Sequence, residues 1–448
     1  MPRSVLLVYG IVFVSCLVAL RRPILGLAVY HALGLVRPQD MLWTTLLDSR
    51  LSVWIGLAVA SGWLWQRVRA ERLPARVAWQ TILIVGFLSL RSLSAVFASD
   101  SALAFDHVLF LAKVVVFYCL TVSLIHTRRD FRVVAVVIAS SLAFLGIWGN
   151  WQWYVVGIPG GPTGELAGPG WEVNGAFADR TAFGNVLSIG IPFCLFVFLA
   201  EGRFWTRWPL LAGIPILINA VMLTFGRAAM LGMLATLVWS VVRLRRPLLV
   251  AVGLLAGITV VYRLAGTEVV DRLLTVGAYS EEPSAAGRIE VWKASLPMIA
   301  DHPLLGVGPG HFPSYALQYN PSARQGRVVH NEFLETAAES GLPAALALLL
   351  IVGGSLVTLR RLRKAMWARP ETRWAYYYAA MLEAALIAYV VSAMFASFPY
   401  FELFYVIVAL TVALKKLAAR EVLAAPASTT PVPIVVGERS LKATQGLA

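Results

Sequence analysis

The chain has 448 residues, of which 59% are hydrophobic and only 14% are charged. A soluble domain has about a quarter of its residues charged, so this composition excludes a soluble multidomain protein and places most of the chain in a lipid bilayer. The formal net charge is +14. Arginine-rich loops beside membrane spans and a site for an anionic ligand explain this charge without a nucleic-acid partner.

The apolar runs predict an all-α polytopic membrane protein. A spanning helix needs about 20 largely apolar residues, and because the first two runs are short the sequence predicts about 12 transmembrane helices. In chain order the runs are 4–20, 23–36, 51–66, 81–98, 107–126, 133–156, 182–200, 208–225, 228–242, 247–264, 343–359, 375–397 and 399–417.

Arginine and lysine clusters fall on every second connection between these runs. They lie at residues 21–22, 67–76, 128–132, 203–207, 243–246, 360–373 and 415–420. The positive-inside rule places all of them in the cytoplasm. The sequence therefore predicts a multi-pass protein of a bacterial inner membrane, and the side of the N-terminus depends on whether two runs form one span.

This pattern divides the chain into four predicted parts. Residues 1–264 form an N-terminal transmembrane bundle with a Gly/Pro-rich outer loop at 157–181. Residues 265–342 form a long periplasmic loop with short helices, since loops of this length are usually functional or disordered. Residues 343–420 form the C-terminal transmembrane helices, and residues 421–448 form a disordered cytoplasmic tail.

Three arginines stand on the predicted outer face, away from the cytoplasmic clusters. Arg180 precedes a span, Arg227 lies between two apolar runs, and Arg288 opens a helix in the long loop. A guanidinium matches phosphate bidentately and stays charged, so these arginines are candidates for binding a pyrophosphate. The alternatives are ordinary surface partners: lipid headgroups for Arg227, Asp179 for Arg180, and Glu290 or Asp301 for Arg288.

His330 stands at the start of a predicted helix at the outer membrane surface. It is followed by Asn331 and by the acidic residues Glu332, Glu335 and Glu339. A neutral imidazole in this place can accept a proton from an attacking hydroxyl, and a helix N-terminus favours a nearby anion. The alternative is a histidine with a purely structural role.

Two further observations concern the remaining polar residues. Lys113 lies inside a predicted span, and an ionisable residue at membrane depth is a candidate site residue. His302, His311 and His330 do not have the compact spacing of metal ligands. We therefore predict no metal and no other cofactor.

Several motifs, in this order and within one outer loop region, resemble the O-antigen ligase and Wzy-type polymerase superfamily. They are Thr-Phe-Gly-Arg-Ala-Ala at 224–229, Gly-Arg-Ile-Glu-Val-Trp at 287–292, Gly-Val-Gly-Pro-Gly-His-Phe at 306–312, His-Asn-Glu-Phe-Leu-Glu at 330–335 and Glu-Ser-Gly-Leu-Pro at 339–343. Two segments near the N-terminus, at 20–27 and 35–40, also resemble the subgroup of exosortase-associated O-glycosylation ligases.

The resemblance implies a GT-C-like enzyme that transfers a glycan from undecaprenyl pyrophosphate to an acceptor hydroxyl on the periplasmic face, with inversion and without a metal. The acceptor would be a glycolipid, a protein or another glycan. Arg227 and Arg288 would hold the pyrophosphate, and His330 would be the base or the orienting group. The predicted substrate-binding residues are Arg180, Asn331, Glu339, Trp292 and Lys113.

Two other functions remain as alternatives. A polymerase that joins repeat units would use the same arginines and histidine. A lipid-linked glycan transporter would also bind pyrophosphate, but it predicts charges through the bilayer core and inverted repeats. Because the polar residues concentrate on one face and no repeat is detected, the sequence favours an enzyme.

Overall fold

The structure, a computed structural model, describes residues 3–38, 51–69, 77–156, 180–224, 226–243, 283–323, 328–368, 370–397 and 402–424. Within these ranges the chain is helical, and no strand occurs. The helices are α1 (Arg3–Arg21), α2 (Pro23–Val36), α3 (Leu51–Arg69), α4 (Trp79–Val96), α5 (Ser101–Leu124), α6 (Arg128–Trp151), α7 (Arg180–Ala200), α8 (Phe204–Leu223), α9 (Arg227–Arg243), α10 (Pro283–Asp301), α11 (Phe312–Tyr319), α12 (Glu332–Met366), α13 (Arg373–Ala393) and α14 (Glu402–Ala424).

Seven of the described helices are long and apolar enough to cross a membrane, which confirms the prediction of an all-α polytopic membrane protein. They are α4 to α8, α12 and α13. The predicted span at 247–264, nearly all of the outer loop at 157–181 and the tail from residue 425 lie outside the described residues. The total of about 12 spans and the four-part division of the chain therefore stay predictions.

Residues from several of the predicted basic clusters lie at one end of the helix bundle, which we call the basic end. Arg132 in the first turns of α6 forms an ion pair with Glu201, directly after α7. The hydroxyl of Tyr376 at the start of α13 donates to the carbonyl of Arg243 at the end of α9, at 3.2 Å. Successive helices thus alternate in direction. Arg180 and Arg227, two of the candidate site residues, begin helices at the opposite end of the bundle, which we call the site end.

The centre of the bundle is built from α7, which packs against α6, α8, α9 and α13. Small residues allow this close approach, as they commonly do between membrane helices. A Cβ at Gly190 would lie 3.0 Å from Leu142 Cβ in α6 and 3.2 Å from Leu217 Cδ1 in α8. The central helices therefore form a tightly packed frame that fixes the positions of the helix starts at the site end.

α12 is kinked at Gly341, which has a φ of +82°. The segment that follows α10 lies directly against this kink, and the N–H of Val307 donates to the carbonyl of Ala338 at 3.0 Å. A Cβ at Gly341 would lie 2.2 Å from the carbonyl oxygen of Leu304. Glycine is therefore required at this position both for the backbone conformation and for the space.

We expect Gly341→Ala to destabilise the protein, because a left-handed φ on a residue with a Cβ costs about 1–3 kcal/mol and the added methyl would overlap Leu304. Gly353→Ala in the same helix is the matched control, since a Cβ there meets nothing within 4 Å. The thermal unfolding midpoint of the purified protein in detergent measures the difference. Equal midpoints for the two variants would contradict the prediction.

Candidate functional site

The first turns of α7, α9 and α12 meet at the site end, around the last turn of α13. Each of them carries a residue that the sequence predicts to do chemistry: Arg180 begins α7, Arg227 begins α9, and His330 precedes the N-cap of α12. A helix N-terminus has a partial positive charge and unpaired N–H groups, so it favours anions. Three such ends in one place make this region suited to a negatively charged ligand.

The start of α9 lies between α7 and α13. On one side α7 approaches through Gly184, where a Cβ would lie 2.7 Å from both Thr224 Oγ1 and Ala229 Cβ. On the other side the hydroxyl of Ser392 in α13 donates to the carbonyl of Ala228 at 3.3 Å. These contacts fix the first turn of α9, which Arg227 begins.

The start of α12 lies against the same turn of α13. Asn331 is its N-cap, and its Oδ1 accepts from the N–H groups of Phe333 and Leu334, both at 3.1 Å. Its Nδ2 donates to the carbonyl of Met394 at 3.2 Å, two residues after Ser392. The first turns of α9 and α12 are therefore neighbours, and Asn331 has a structural role at this junction.

His330 is half-buried and has a φ of +54°. Histidine adopts this left-handed conformation more often than most residues, but such a residue still costs about 1–3 kcal/mol and persists where its surroundings hold it. Both backbone groups of the preceding Val329 are bound: its N–H donates to Glu335 Oε2 at 3.2 Å, and its carbonyl accepts from Trp292 Nε1 at 3.0 Å. The residue directly before the strained His330 is thus held by two side chains, those of Glu335 and Trp292.

Arg288 comes close to His330 through α10. It lies one helical turn before Trp292, so the two side chains share a face of the helix. The bond from Trp292 to Val329 then brings this face of α10 beside His330. Arg288 is half-buried, and within the described ranges it makes no ion pair.

Glu290, which the sequence offers as an ordinary partner of Arg288, binds other groups instead. Lys293 Nζ donates to Glu290 Oε1 at 2.8 Å, and Asn320 Nδ2 donates to Oε2 at 2.9 Å. Both bonds lower the pKa of Glu290 from its ordinary value, and the bond from Lys293 has the largest effect. Glu290 is therefore bound to Lys293 and Asn320 and not to Arg288.

Glu339 lies about two turns into α12, and its carboxylate is bound within the protein. Oε2 lies 3.5 Å from Arg91 Nη2 in α4, with side-chain exposures of 4% and 0%. Oε1 accepts from the N–H of Phe312 at 3.3 Å, and the carbonyl of Glu339 accepts from Ser94 Oγ at 2.9 Å. Glu339 therefore joins α4, α12 and the start of α11, and its substrate binding stays a prediction.

His311 lies at the end of the glycine-rich loop at 306–311, directly before α11, and binds this loop to the turn between α4 and α5. Its Nε2 accepts from the N–H of Asp100 at 3.1 Å, and its Nδ1 lies 3.0 Å from the carbonyl of Pro309. Because Nε2 accepts, the ring proton is on Nδ1, which donates to Pro309. The loop also passes close to α5, where a Cβ at Gly310 would lie 2.4 Å from His107 Nε2.

Lys113 lies apart from this cluster. It is exposed about halfway along α5, and its neighbours Leu109, Phe110 and Val116 are also exposed. Its predicted substrate binding would therefore take place on the outer surface of the bundle.

Among the residues that the structure describes, no group of three His, Cys, Asp or Glu side chains could hold a metal ion.

Sequence reasoning missed three residues that build this end of the molecule. Arg91 could have been found, because an arginine inside the apolar run 81–98 is expensive and rarely idle. Glu335 and His311 gave only weak signals, although each lies in one of the motifs. Ser397, which binds Glu335, and Asp100, which binds His311, come from other segments. Their roles became visible only with the fold.

The fold defines a multi-pass, all-helical membrane protein, and its site end is suited to a negatively charged ligand. Residues 212–349 match the family model described as O-Antigen ligase, which confirms the resemblance that the motifs in this part of the chain indicate and supports a role in glycan processing. Residues 3–166 match a second model, described as a family of unknown function. Comparisons with curated proteins and with solved structures gave no match. Membership of the exosortase-associated subgroup stays a prediction.

Proposed function

We propose that the chain is a glycan ligase of the periplasmic face of a bacterial inner membrane. It transfers an oligo- or polysaccharide from undecaprenyl pyrophosphate to an acceptor hydroxyl on a glycolipid, a protein or another glycan, with inversion and without a metal. Two observations support the proposal. The helix starts beside Arg227 and His330 are bound to the same end of α13, and Trp292, one turn after Arg288 on α10, is bound to the residue before His330.

The pyrophosphate lies over the first turns of α7 and α9 in this proposal. Arg227 begins α9, and Arg288 approaches from α10, so a phosphate between them meets two guanidinium groups and two helix N-termini. Arg180 begins α7, and its predicted role is to take part in substrate binding. The undecaprenyl tail then lies along the apolar surface of the bundle, in the bilayer.

The reaction needs one proton acceptor and a neutralised leaving group. The acceptor oxygen attacks the anomeric carbon of the donor sugar from the face opposite the pyrophosphate, and its proton passes to His330. The bond from the anomeric carbon to the pyrophosphate oxygen breaks, and undecaprenyl pyrophosphate leaves with the bonding electrons. Fixed arginines stabilise the developing charge, and a positioned base contributes about 10²- to 10⁴-fold.

A Wzy-type polymerase would use the same groups with a growing glycan as its acceptor. The arginines and the histidine do not distinguish it from a ligase, because the donor half of the reaction is the same. A lipid-linked glycan transporter would need the arginines but no proton acceptor. The effect of removing the imidazole therefore separates the two enzymes from the transporter.

Arginine variants with matched controls test the proposal. Arg288→Ala and Arg227→Ala are each expected to lower transfer about 10²-fold or more. Lys293→Ala on the same helix as Arg288, and Arg243→Ala at the other end of α9, remove exposed charges outside the site and are expected to transfer normally. Cells lacking the gene are complemented at matched membrane levels, and the lipid-linked glycan and the glycosylated product are both quantified.

Accumulation of undecaprenyl-linked glycan in the two site variants alone would support the proposal. Wild-type transfer by both Arg288→Ala and Arg227→Ala would contradict it. Loss of transfer in Lys293→Ala to the same extent would show that charge on α10, and not a phosphate contact of Arg288, governs the rate.

A further inference from the structure

Val329, the residue directly before His330, has its N–H and its carbonyl bound by side chains from two different helices. Trp292 on α10 donates to the carbonyl, and Glu335 on α12 accepts from the N–H. We infer that Trp292 and Glu335 are positioning residues that hold the imidazole of His330 in its working place. The inference rests on the proposed function, because there His330 accepts the proton of the acceptor hydroxyl.

Apolar packing also holds the Trp292 side chain in place, in addition to its hydrogen bond to Val329. α10, α11 and the first turns of α12 share a small apolar core against which the indole ring packs. That core contains Val291, Ala294, Met298, Phe312, Ala316, Val329 and Ala338. Because the ring is packed in this way, its N–H direction is fixed, and it locates the carbonyl of Val329 at 3.0 Å.

Glu335 is buried, and one oxygen of its carboxylate accepts two hydrogen bonds. Oε2 accepts from the N–H of Val329 at 3.2 Å and also from the hydroxyl of Ser397, which follows α13. Glu335 therefore ties the residue before His330 both to α12 and to the segment after α13.

These bonds have a direct consequence for His330, because its φ of +54° is an unfavourable backbone conformation. Such a conformation persists only where the surroundings over-determine it. On the other side of His330, Asn331 is fixed as the N-cap and bound to Met394. If the bonds to Val329 are removed, His330 can relax to an ordinary conformation, which would move the imidazole relative to the donor.

The roles of Trp292 and Glu335 predict a particular kinetic result. Neither residue belongs to the pyrophosphate-binding groups of the proposal, so donor binding stays with Arg227 and Arg288. A misplacement of about 1 Å in a catalytic group can lower the rate about 100-fold. The loss should therefore fall on kcat, with the KM for the donor unchanged.

The first experiment compares Trp292→Phe, Glu335→Ala and Glu335→Gln in detergent-solubilised membranes. The donor is lipid-linked glycan extracted from cells that lack the gene, and the acceptor is the envelope fraction of those cells. Trp292→Phe keeps an aromatic ring, although a smaller one, and removes the donor N–H. It should lower kcat about 10- to 100-fold, as should Glu335→Ala. Glu335→Gln keeps an accepting oxygen and should stay near wild type.

The decisive experiment repeats Glu335→Ala in the His330→Asn background. Residues that act through one group are not additive, so Glu335→Ala should cause no further loss once the imidazole is absent. An equal further loss in that background would overturn the inference and leave Glu335 with a role in folding. Wild-type kcat in Trp292→Phe and Glu335→Ala would overturn it as well, while leaving the proposed function intact.

The same data show whether the proposed function itself fails. If His330→Asn transfers at the wild-type rate, His330 is not the proton acceptor, and the positioning roles of Trp292 and Glu335 are overturned with it. If His330→Asn is inactive, the proposed function stands, and the variants of Trp292 and Glu335 decide the inference alone.

Discussion

Replacing His330 by asparagine is expected to lower the rate of glycan transfer about 10²- to 10⁴-fold, the usual contribution of a positioned acid–base group. Asparagine has no group that takes a proton at neutral pH. It also tolerates a left-handed φ, so the backbone at +54° is preserved, whereas alanine would add strain to the loss of the imidazole. The change therefore isolates proton transfer from the local conformation.

The measurement is the initial rate of transfer at saturating donor, with membrane level and thermal midpoint determined for each variant. His302→Asn is the matched control, because His302 is exposed in the turn after α10 and does not belong to the first turns of α7, α9 or α12. It should transfer at the wild-type rate. A wild-type rate in His330→Asn would instead favour the lipid-linked glycan transporter or a different proton acceptor.

The helices of the bundle could be predicted well from the sequence, for a physical reason. In a bilayer the backbone must pair with itself, so an apolar run of sufficient length becomes a helix almost regardless of its tertiary contacts. The runs predicted at 182–200 and 208–225 correspond to α7 (Arg180–Ala200) and α8 (Phe204–Leu223). The basic clusters gave the alternating direction of the helices in the same way.

Part of the site could also be predicted, because its signals are local. Asn331 followed by acidic residues is the pattern of a helix N-terminus, and the structure has Asn331 as the N-cap of α12. The position of Arg227 at a helix start follows from the ends of apolar runs. Arg288 was predicted to open a helix, but α10 begins at Pro283, so Arg288 lies in its second turn. Local pattern therefore located each candidate on its own element.

The contacts between elements could not be predicted, because their partners are remote in the chain. Trp292 is predicted from the sequence as a substrate-binding residue, and that stays a prediction, but the sequence does not show that its indole N–H is bound to the carbonyl of Val329. Glu339 has the appearance of a ligand for substrate, but its carboxylate meets Arg91, 248 residues away. Spacing along one helix cannot show which neighbouring element supplies such a partner.

The pair of Arg91 and Glu339 is the main polar link between α4 and the kinked start of α12. Both residues are almost fully buried, and Oε2 of Glu339 lies 3.5 Å from Arg91 Nη2. Removing one member of a buried ion pair strands the charge of the other, which typically destabilises a protein by about 3–5 kcal/mol. Because Glu339 also accepts from the N–H of Phe312, the loss would extend to the glycine-rich loop.

We therefore expect Arg91→Met and Glu339→Gln to lower the free energy of unfolding by about 3–5 kcal/mol each, and the double variant to lose less than their sum. In the double variant no charge is stranded, and glutamine still offers an oxygen to the N–H of Phe312. Chemical unfolding of the purified protein in detergent measures the coupling between the two positions. Lys293→Ala, which breaks an exposed pair, should change little. Additive losses in the double variant would show that Arg91 and Glu339 stabilise the fold separately, through packing, and that the loop is held at the site end by other contacts.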